Sequence, residues 1–195
     1  MRTSAQKNRI ESIWRLAVAS IGCDAGDSLD FEGKMMVEAL KHAREALREK
    51  ADKIEDICLE IPEYRCLLTI PGFGPDVSSR VLAAIGNPFR FQNEHQVLKL
   101  AGLDLSAKRI GKSSDRAVPV ISKKGKADLR YALYQAAMIA SIRNIHFMVY
   151  FTDKLRGRER EKGIKTKMRV KLEAKLLIIA WTLMKKMEPF DPSHL

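Results

Sequence analysis

The stretch LLTIPGFGPDVSSRVLAAIG, residues 67–86, decides the reading of the fold. A short helix near 63–69, a turn at Pro-Gly-Phe-Gly and a second helix over 75–85 are predicted from it. Gly72 and Gly74 flank a single apolar residue, Phe73, which is placed to plug the core between the two helices. Glycine tolerates a tight backbone and, having no side chain, lets another backbone come close. Pro75 opens the second helix, where its missing N–H costs nothing because first-turn donors have no helical partner.

The start of that second helix has a chemical consequence. Free N–H groups and the helix dipole converge there and suit an anion such as a DNA phosphate. The order Pro-Gly-apolar-Gly therefore reads as a helix-hairpin-helix at 67–86, a motif that grips DNA backbone without regard to sequence. The competing reading is a packing unit in which the glycines serve only the αα-turn.

Working outward, residues 7–21 place Ile10, Ile13, Trp14, Ala17, Val18 and Ile21 on one helical face. GCDAGDSLDFEGK, residues 22–34, breaks the pattern and reads as a loop. From Met36 a seven-residue repeat runs through Leu40, Ala43, Leu47, Lys50, Ile54, Ile57 and Ile61, interrupted by the lysine. It is the seam of an intermolecular coiled coil or one half of an antiparallel hairpin with residues 7–21. Downstream, helices are predicted over NEHQVLKLAG, about 126–144, about 146–161 and 165–187. Leu129, Leu133, Ala136, Ala137 and Ala140 form the inner side of the first long one. Met168, Leu172, Leu176, Ile179, Leu183 and Met187 form the stripe of the last. The irregular segment from Leu103 to Val120 has room for one short strand pair. The expected fold is all-α, with a helical coiled-coil arm over 1–62 and a compact helical domain over 63–190.

Bulk composition narrows the partners. With 195 residues, 46% of them hydrophobic, the chain can bury a sizeable core. A net charge of +11 points to a polyanion, nucleic acid before anionic membrane. The longest apolar run, LLIIAW at 176–181, is far too short to span a bilayer, and no signal peptide is visible. Cys23, Cys58 and Cys66 are odd in number without CxxC spacing, and the histidines are dispersed, so neither a disulfide framework nor a metal site is expected. A reduced, cytoplasmic protein is the expectation.

The tract 108–130 holds Lys108, Arg109, Lys112, Arg116, Lys123, Lys124, Lys126 and Arg130 against only Asp115 and Asp128. These charges crowd a glycine-bearing loop rather than one helix face, which suits a phosphate backbone better than a merely solvated surface does. Ser122 stands among them. A serine a few residues before a helix reads as a cap or turn residue. As chemistry, its hydroxyl could attack a phosphodiester if Lys123, Lys126 and Arg130 stabilised the transition state. No adjacent histidine or other evident base would take its proton, and Ser113 and Ser114 compete for the role.

Read in order, RTSAQKNRIESIW, the heptad helix, LLTIPGFGPDVSSRVLAAIGNPFRF, LKLAGLD and ISKKGKADLRYALYQAA resemble the C-terminal part of the transposases of bridge-RNA-guided insertion sequences. That family also includes site-specific invertases of pilin genes. The resemblance runs from about residue 2 to about residue 186, most specifically in IPGFG and SKKGKADLRYALYQAA. The family pattern Ser-Lys-x-Gly-x-x-x-Leu-Arg falls on Ser122, Lys123, Gly125, Leu129 and Arg130. It implies that the Ser122 hydroxyl attacks DNA to give a covalent phosphoserine and a free hydroxyl end. It also implies DNA as partner, a guide RNA, and a homo-oligomer assembled through the arm.

The family's resolvase-like domain, with four magnesium-binding acids, is expected to be missing, since the chain begins where that family's coiled-coil region begins. Asp24, Asp27, Asp30 and Glu32 read as ordinary loop acids. Alone, the chain is therefore expected to bind nucleic acid but to recombine poorly or not at all. The rival class is a non-catalytic nucleic-acid-binding module. A helix-hairpin-helix glycosylase is disfavoured, because FRFQNEHQVLK lacks the aspartate such enzymes need after the hairpin.

Overall fold

A computed structural model describes residues 4–20, 26–106 and 120–195. Its elements are α1 (Ser4–Ala19), α2 (Gly26–Leu59), α3 (Pro62–Leu68), α4 (Pro75–Ile85), a 3-10 turn (Pro88–Arg90), α5 (Glu94–Ala101), β1 (Leu105–Ser106), β2 (Val120–Ile121), α6 (Ala127–Arg143), α7 (Ile145–Leu155), α8 (Ile164–Lys186) and a closing 3-10 turn (Pro192–His194). Among the described residues the fold is helical apart from one two-residue antiparallel ribbon that pairs Leu105 with Ile121 and Ser106 with Val120. The expected strand pair is present. Two compact units divide the chain, Met1–Glu49 and Lys50–Leu195.

In the first unit, no residue of α1 is buried. Ile10, Ile13 and Trp14 of α1, and Met36, Leu40 and Leu47 of α2, all face solvent. Among the described residues of this unit, α1 and α2 therefore bury no hairpin seam. The expected loop over 22–34 is corrected as well, because α2 already begins at Gly26. Asp27 in the first turn complements the helix dipole, and Asp30 pairs with Lys34 at 2.6 Å, one turn on. Such local terms, about 0.3–0.5 kcal/mol each, extend the helix through a stretch whose glycines alone suggest a break.

The second unit is built around α8, which packs against α3, α4, α5, α6 and α7. Pro62 does not merely end a helix; it opens α3. The Phe73 N–H donates to the Ile70 carbonyl at 2.9 Å, and Gly72 has φ of +91°. With Pro71 at the first corner, this is the sequence and backbone of a type II turn. Phe73 is buried as expected, among Leu67, Ile70, Val77 and Val81. An alanine side chain at Gly72 would lie 2.6 Å from the Ala136 carbonyl oxygen of α6. The glycine is therefore required by close packing against α6 as well as by the turn.

The inner side of α6 is the one expected: Leu129, Leu133, Ala136, Ala137 and Ala140 are all buried. On α8, the predicted stripe needs correction. Met168, Leu172, Leu176 and Leu183 are buried, but Ile179 is half-buried and Met187 is exposed. Ile164, Glu173, Leu177, Ala180 and Met184 are buried instead. A helix surrounded by five neighbours presents a wide face rather than a heptad seam. α7 stops at Leu155, short of the expected 161, in a charged segment where Gly157 and Gly163 both take positive φ. Cys58 and Cys66 are free, and burial pushes both thiols above their ordinary pKa.

Candidate nucleic-acid interface

α5 ends in a Schellman motif. Gly102 adopts the left-handed conformation, its N–H donates to the Lys99 carbonyl at 3.0 Å, and the Leu103 N–H donates to the Leu98 carbonyl at 2.9 Å. That leaves the carbonyls of Leu100, Ala101 and Gly102 without helical donors. The segment Ser122–Lys126 and the start of α6 supply them. The Lys126 N–H reaches the Leu100 carbonyl at 2.8 Å, the Lys123 N–H reaches Gly102 at 2.9 Å, and the Ser122 N–H reaches Asp104 at 2.8 Å. The Arg130 guanidinium donates to the Ala101 carbonyl at 2.8 Å. AGLD and SKKGKADLR, about twenty residues apart in sequence, thus interlock backbone to backbone.

Gly125 is what allows this closeness. An alanine side chain there would lie 2.2 Å from the Gly102 nitrogen and 2.3 Å from the Leu100 oxygen. Lys123 adopts φ of +56°, a left-handed conformation that costs a non-glycine residue on the order of 1 kcal/mol. The turn keeps a lysine where glycine would be the easier choice.

Ser122 is half-buried. Its hydroxyl donates to the Asp104 carboxylate, and the Ser122 Oγ in turn accepts from the Lys124 N–H at 3.4 Å. Asp104 was not singled out by the sequence; its only signal is its place directly after Ala-Gly-Leu. Arg130 is half-buried and turned toward the α5 terminus, with its charge reaching Glu173 of α8. Glu173 was also missed, although it is a lone acid in the middle of an apolar stripe. By contrast, Lys123, Lys124 and Lys126 are exposed, and none of their ammonium groups has an ion-pair partner among the described residues.

The remaining sequence-predicted positions fall elsewhere. Gly74 is exposed at the N-cap of α4, with no side-chain cap and open space where a side chain would stand. Asp76 in that first turn pairs with Arg80 at 2.9 Å. Gly72 lies against Ala136, nine residues into α6 and so about 13 Å along its axis from the lysine turn. The two glycines and the lysines do not converge on one point. Lys108, Arg109 and Lys112, with Ser113 and Ser114, lie outside the described residues. Among the described residues no group of three or more histidines, cysteines or acids could hold a metal, and Asp27, Asp30 and Glu32 lie along α2. Nor is any described helix long and apolar enough to cross a membrane.

Residues 64–151, which span α3 to the middle of α7 and contain this site, match the Transposase IS116/IS110/IS902 family. The pilin gene-inverting protein of Moraxella bovis is 29% identical over 125 residues, covering 64% of this chain and 38% of that protein. The pilin gene-inverting protein of Moraxella lacunata is 26% identical over 156 residues, covering 78% of this chain and 47% of that protein. The chain spans less than half the length of either relative. Over part of its length, then, it is distantly related to the IS110-type transposases and the pilin gene-inverting proteins.

Proposed function

We propose that this chain is a DNA-binding part of a transposase or site-specific recombinase, gripping the phosphate backbone with a preformed lysine turn. The observation that carries the reading is the contrast within Ser122–Arg130. Gly125, Leu129 and Arg130 are consumed by packing and capping, whereas Lys123, Lys124 and Lys126 face outward on a turn fixed by backbone hydrogen bonds. Three neighbouring cations without an ion-pair partner among the described residues repel one another, and a polyanion relieves that repulsion. A rigid turn also spares the ordering entropy that flexible surface lysines lose on binding. α3, its turn and α4 act as a helix-hairpin-helix whose α4 terminus, at Gly74, has no side-chain cap and takes a second phosphate. The 63–190 segment is the binding domain, the 1–62 arm the means of assembly. Phosphate contacts of this kind position DNA, or a guide RNA paired with it, without reading bases.

Changing Lys123, Lys124 and Lys126 together to glutamine should weaken binding to duplex DNA on the order of tenfold or more, by similar factors on unrelated sequences. Thermal stability should not fall, because none of the three ammonium groups contributes an ion pair among the described residues and their mutual repulsion is removed. Equilibrium titration of two unrelated duplexes checks this. A loss confined to one sequence, or no loss, removes the lysine turn from the interface.

A second reading makes Ser122 the nucleophile, supported by its hydroxyl–carboxylate pair with Asp104. The proton would pass to Asp104 as Oγ bonds to phosphorus and the phosphorus–sugar oxygen bond breaks, the leaving oxygen taking a proton from water to become a free hydroxyl end. Against it stands the same carboxylate, whose negative charge repels an incoming phosphodiester, and the commitment of Arg130 to the Ala101 carbonyl. We therefore assign the Ser122 hydroxyl to anchoring the turn. Covalent trapping separates the two readings. With a resolvase-like domain supplied, DNA should stay unlinked to this chain; a serine–DNA adduct lost in Ser122→Ala would establish the nucleophile.

A further inference from the structure

Residues 154–171 carry a basic side chain at every second or third position, against only Glu159 and Glu161. Both acids are already engaged. The Arg158 guanidinium donates twice to Glu161, at 2.8 Å each time, and the Gly157 N–H donates to Glu159 at 3.0 Å. Lys162, Lys165, Lys167 and Lys171 are exposed, and none has an ion-pair partner among the described residues. Lys167 acts on Glu161 only at longer range.

These lysines are also unfavourably placed on their own helix. Lys165 and Lys167 lie in the first turn of α8, which holds no acid and where the helix dipole is positive. Lys167 and Lys171 stand one turn apart on one face, a like-charge spacing that destabilises a helix. A polyanion laid across them relieves both effects.

The course of α8 sets which end of the unit they occupy. Near its C-terminus Trp181 and Lys185 bond the carbonyls of Pro88 and Phe91, just before α5 begins. Farther back along it, the charge of Arg130, which caps Ala101 at the end of α5, reaches Glu173. α5 therefore runs antiparallel to α8. α6 runs in the same direction as α8, because Phe147 and Phe190, each just past the end of its helix pair, stack at 5.5 Å. The stretches Arg130–Arg143 and Glu173–Lys186 are equal, about 20 Å each. Ile164, where α8 begins, is nine residues ahead of Glu173. About 13 Å of α8 thus projects past the level of Arg130, at the end of the unit where Lys123, Lys124 and Lys126 precede α6.

We propose that Lys162, Lys165, Lys167 and Lys171 form a second group of phosphate contacts that continues the lysine turn, so that one DNA duplex runs across both. The proposal rests on the reading of the lysine turn as a DNA contact and extends it to a surface some forty residues away in sequence. A duplex of about 16 base pairs, roughly 54 Å long, is ample to cover the two groups.

The test is titration of the full chain with such a duplex over a range of salt concentrations. Wild type is compared with a variant in which these four lysines are changed to glutamine and with the variant of Lys123, Lys124 and Lys126. Circular dichroism should show all three folded, since every altered side chain is exposed. The four-lysine variant should bind about tenfold or more weakly, with a salt slope lower by about 2 to 4 and an unchanged number of duplexes per chain. Wild-type affinity and slope in that variant overturn the proposal, and the lysine turn still stands if its own variant loses binding. A halved number of duplexes per chain would mean two separate duplexes and overturns the continuous track. Loss in the four-lysine variant alone, with the lysine-turn variant binding as wild type, removes the turn from the interface and the shared track with it.

Discussion

Gly125→Ala is expected to lower the stability of the Lys50–Leu195 unit by about 3 kcal/mol or more and to abolish DNA binding together with it. The new side chain would sit 2.2 Å from the Gly102 nitrogen and 2.3 Å from the Leu100 oxygen, both backbone atoms. Neither can swing aside as a flexible side chain would. Relief requires the turn to lift off α5, which breaks the bonds to Leu100, Gly102 and Asp104 and displaces Arg130 from Ala101. Each net hydrogen bond is worth about 1 kcal/mol, and the buried carbonyls left behind cost more than that. For a unit of this size the loss corresponds to roughly 10 °C in Tm. Differential scanning calorimetry checks the first half of the expectation, and titration with duplex DNA well below the new Tm checks the second. A variant of native stability would mean that the two backbones are not in contact. A folded variant with native affinity would separate the turn from binding.

Glu173→Gln is expected to stabilise the protein at alkaline pH and to flatten its pH dependence. Glu173 is 1% exposed, its Oε1 has no partner among the described residues, and its carboxyl is pushed up to about 8. Burial is the main cause, because it penalises the charged form, and the Arg130 charge opposes it only in part. In the unfolded chain a glutamate titrates near 4.3, so across the interval up to about 8 the folded state holds a proton that the unfolded state has lost. Stability therefore falls as pH rises through that window and is level on either side of it. The full span is worth on the order of 5 kcal/mol. Glutamine is neutral throughout and nearly isosteric. The variant should match wild type near pH 4.5 and exceed it by on the order of 2–4 kcal/mol at pH 8, read from urea midpoints at several pH values. Parallel curves for the two proteins would show that Glu173 folds ionised.

The sequence carried the helices well because their signals are local. Pro75 at a first turn, the turn at Pro-Gly-Phe-Gly and the alanine-rich face of α6 each act within a few residues, and each is found where expected. What escaped depended on partners distant along the chain. Gly102 closes a predicted helix and Gly125 belongs to a family pattern, and only the folded backbone reveals that each leaves room for the other. Arg130 reads as one more cation in a basic tract until the bare carbonyl of Ala101 appears beside it. The predicted stripe on α8 failed for a related reason. A helix touching five others buries more than one stripe, including the glutamate that periodicity alone assigns to water.

The loop assigned to 22–34 failed differently, because Gly26 and Gly33 outweighed an aspartate at the helix start and an Asp30–Lys34 pair that favour continuation. At the candidate site, the crowd of basic residues was legible. Their division into three that face outward and one that caps a helix was not, since that division is a property of the interlocked backbone.

The central claim, that Lys123, Lys124 and Lys126 are held ready for phosphates, is tested most directly by the salt dependence of binding. The logarithm of the association constant for a duplex, plotted against the logarithm of salt concentration, falls with a slope of about 0.9 per neutralised phosphate. Replacing the three lysines by glutamine should reduce that slope by about 2 to 3 while the protein stays folded. An unchanged slope in the folded variant would contradict the account, because the three charges would then not meet phosphate at all.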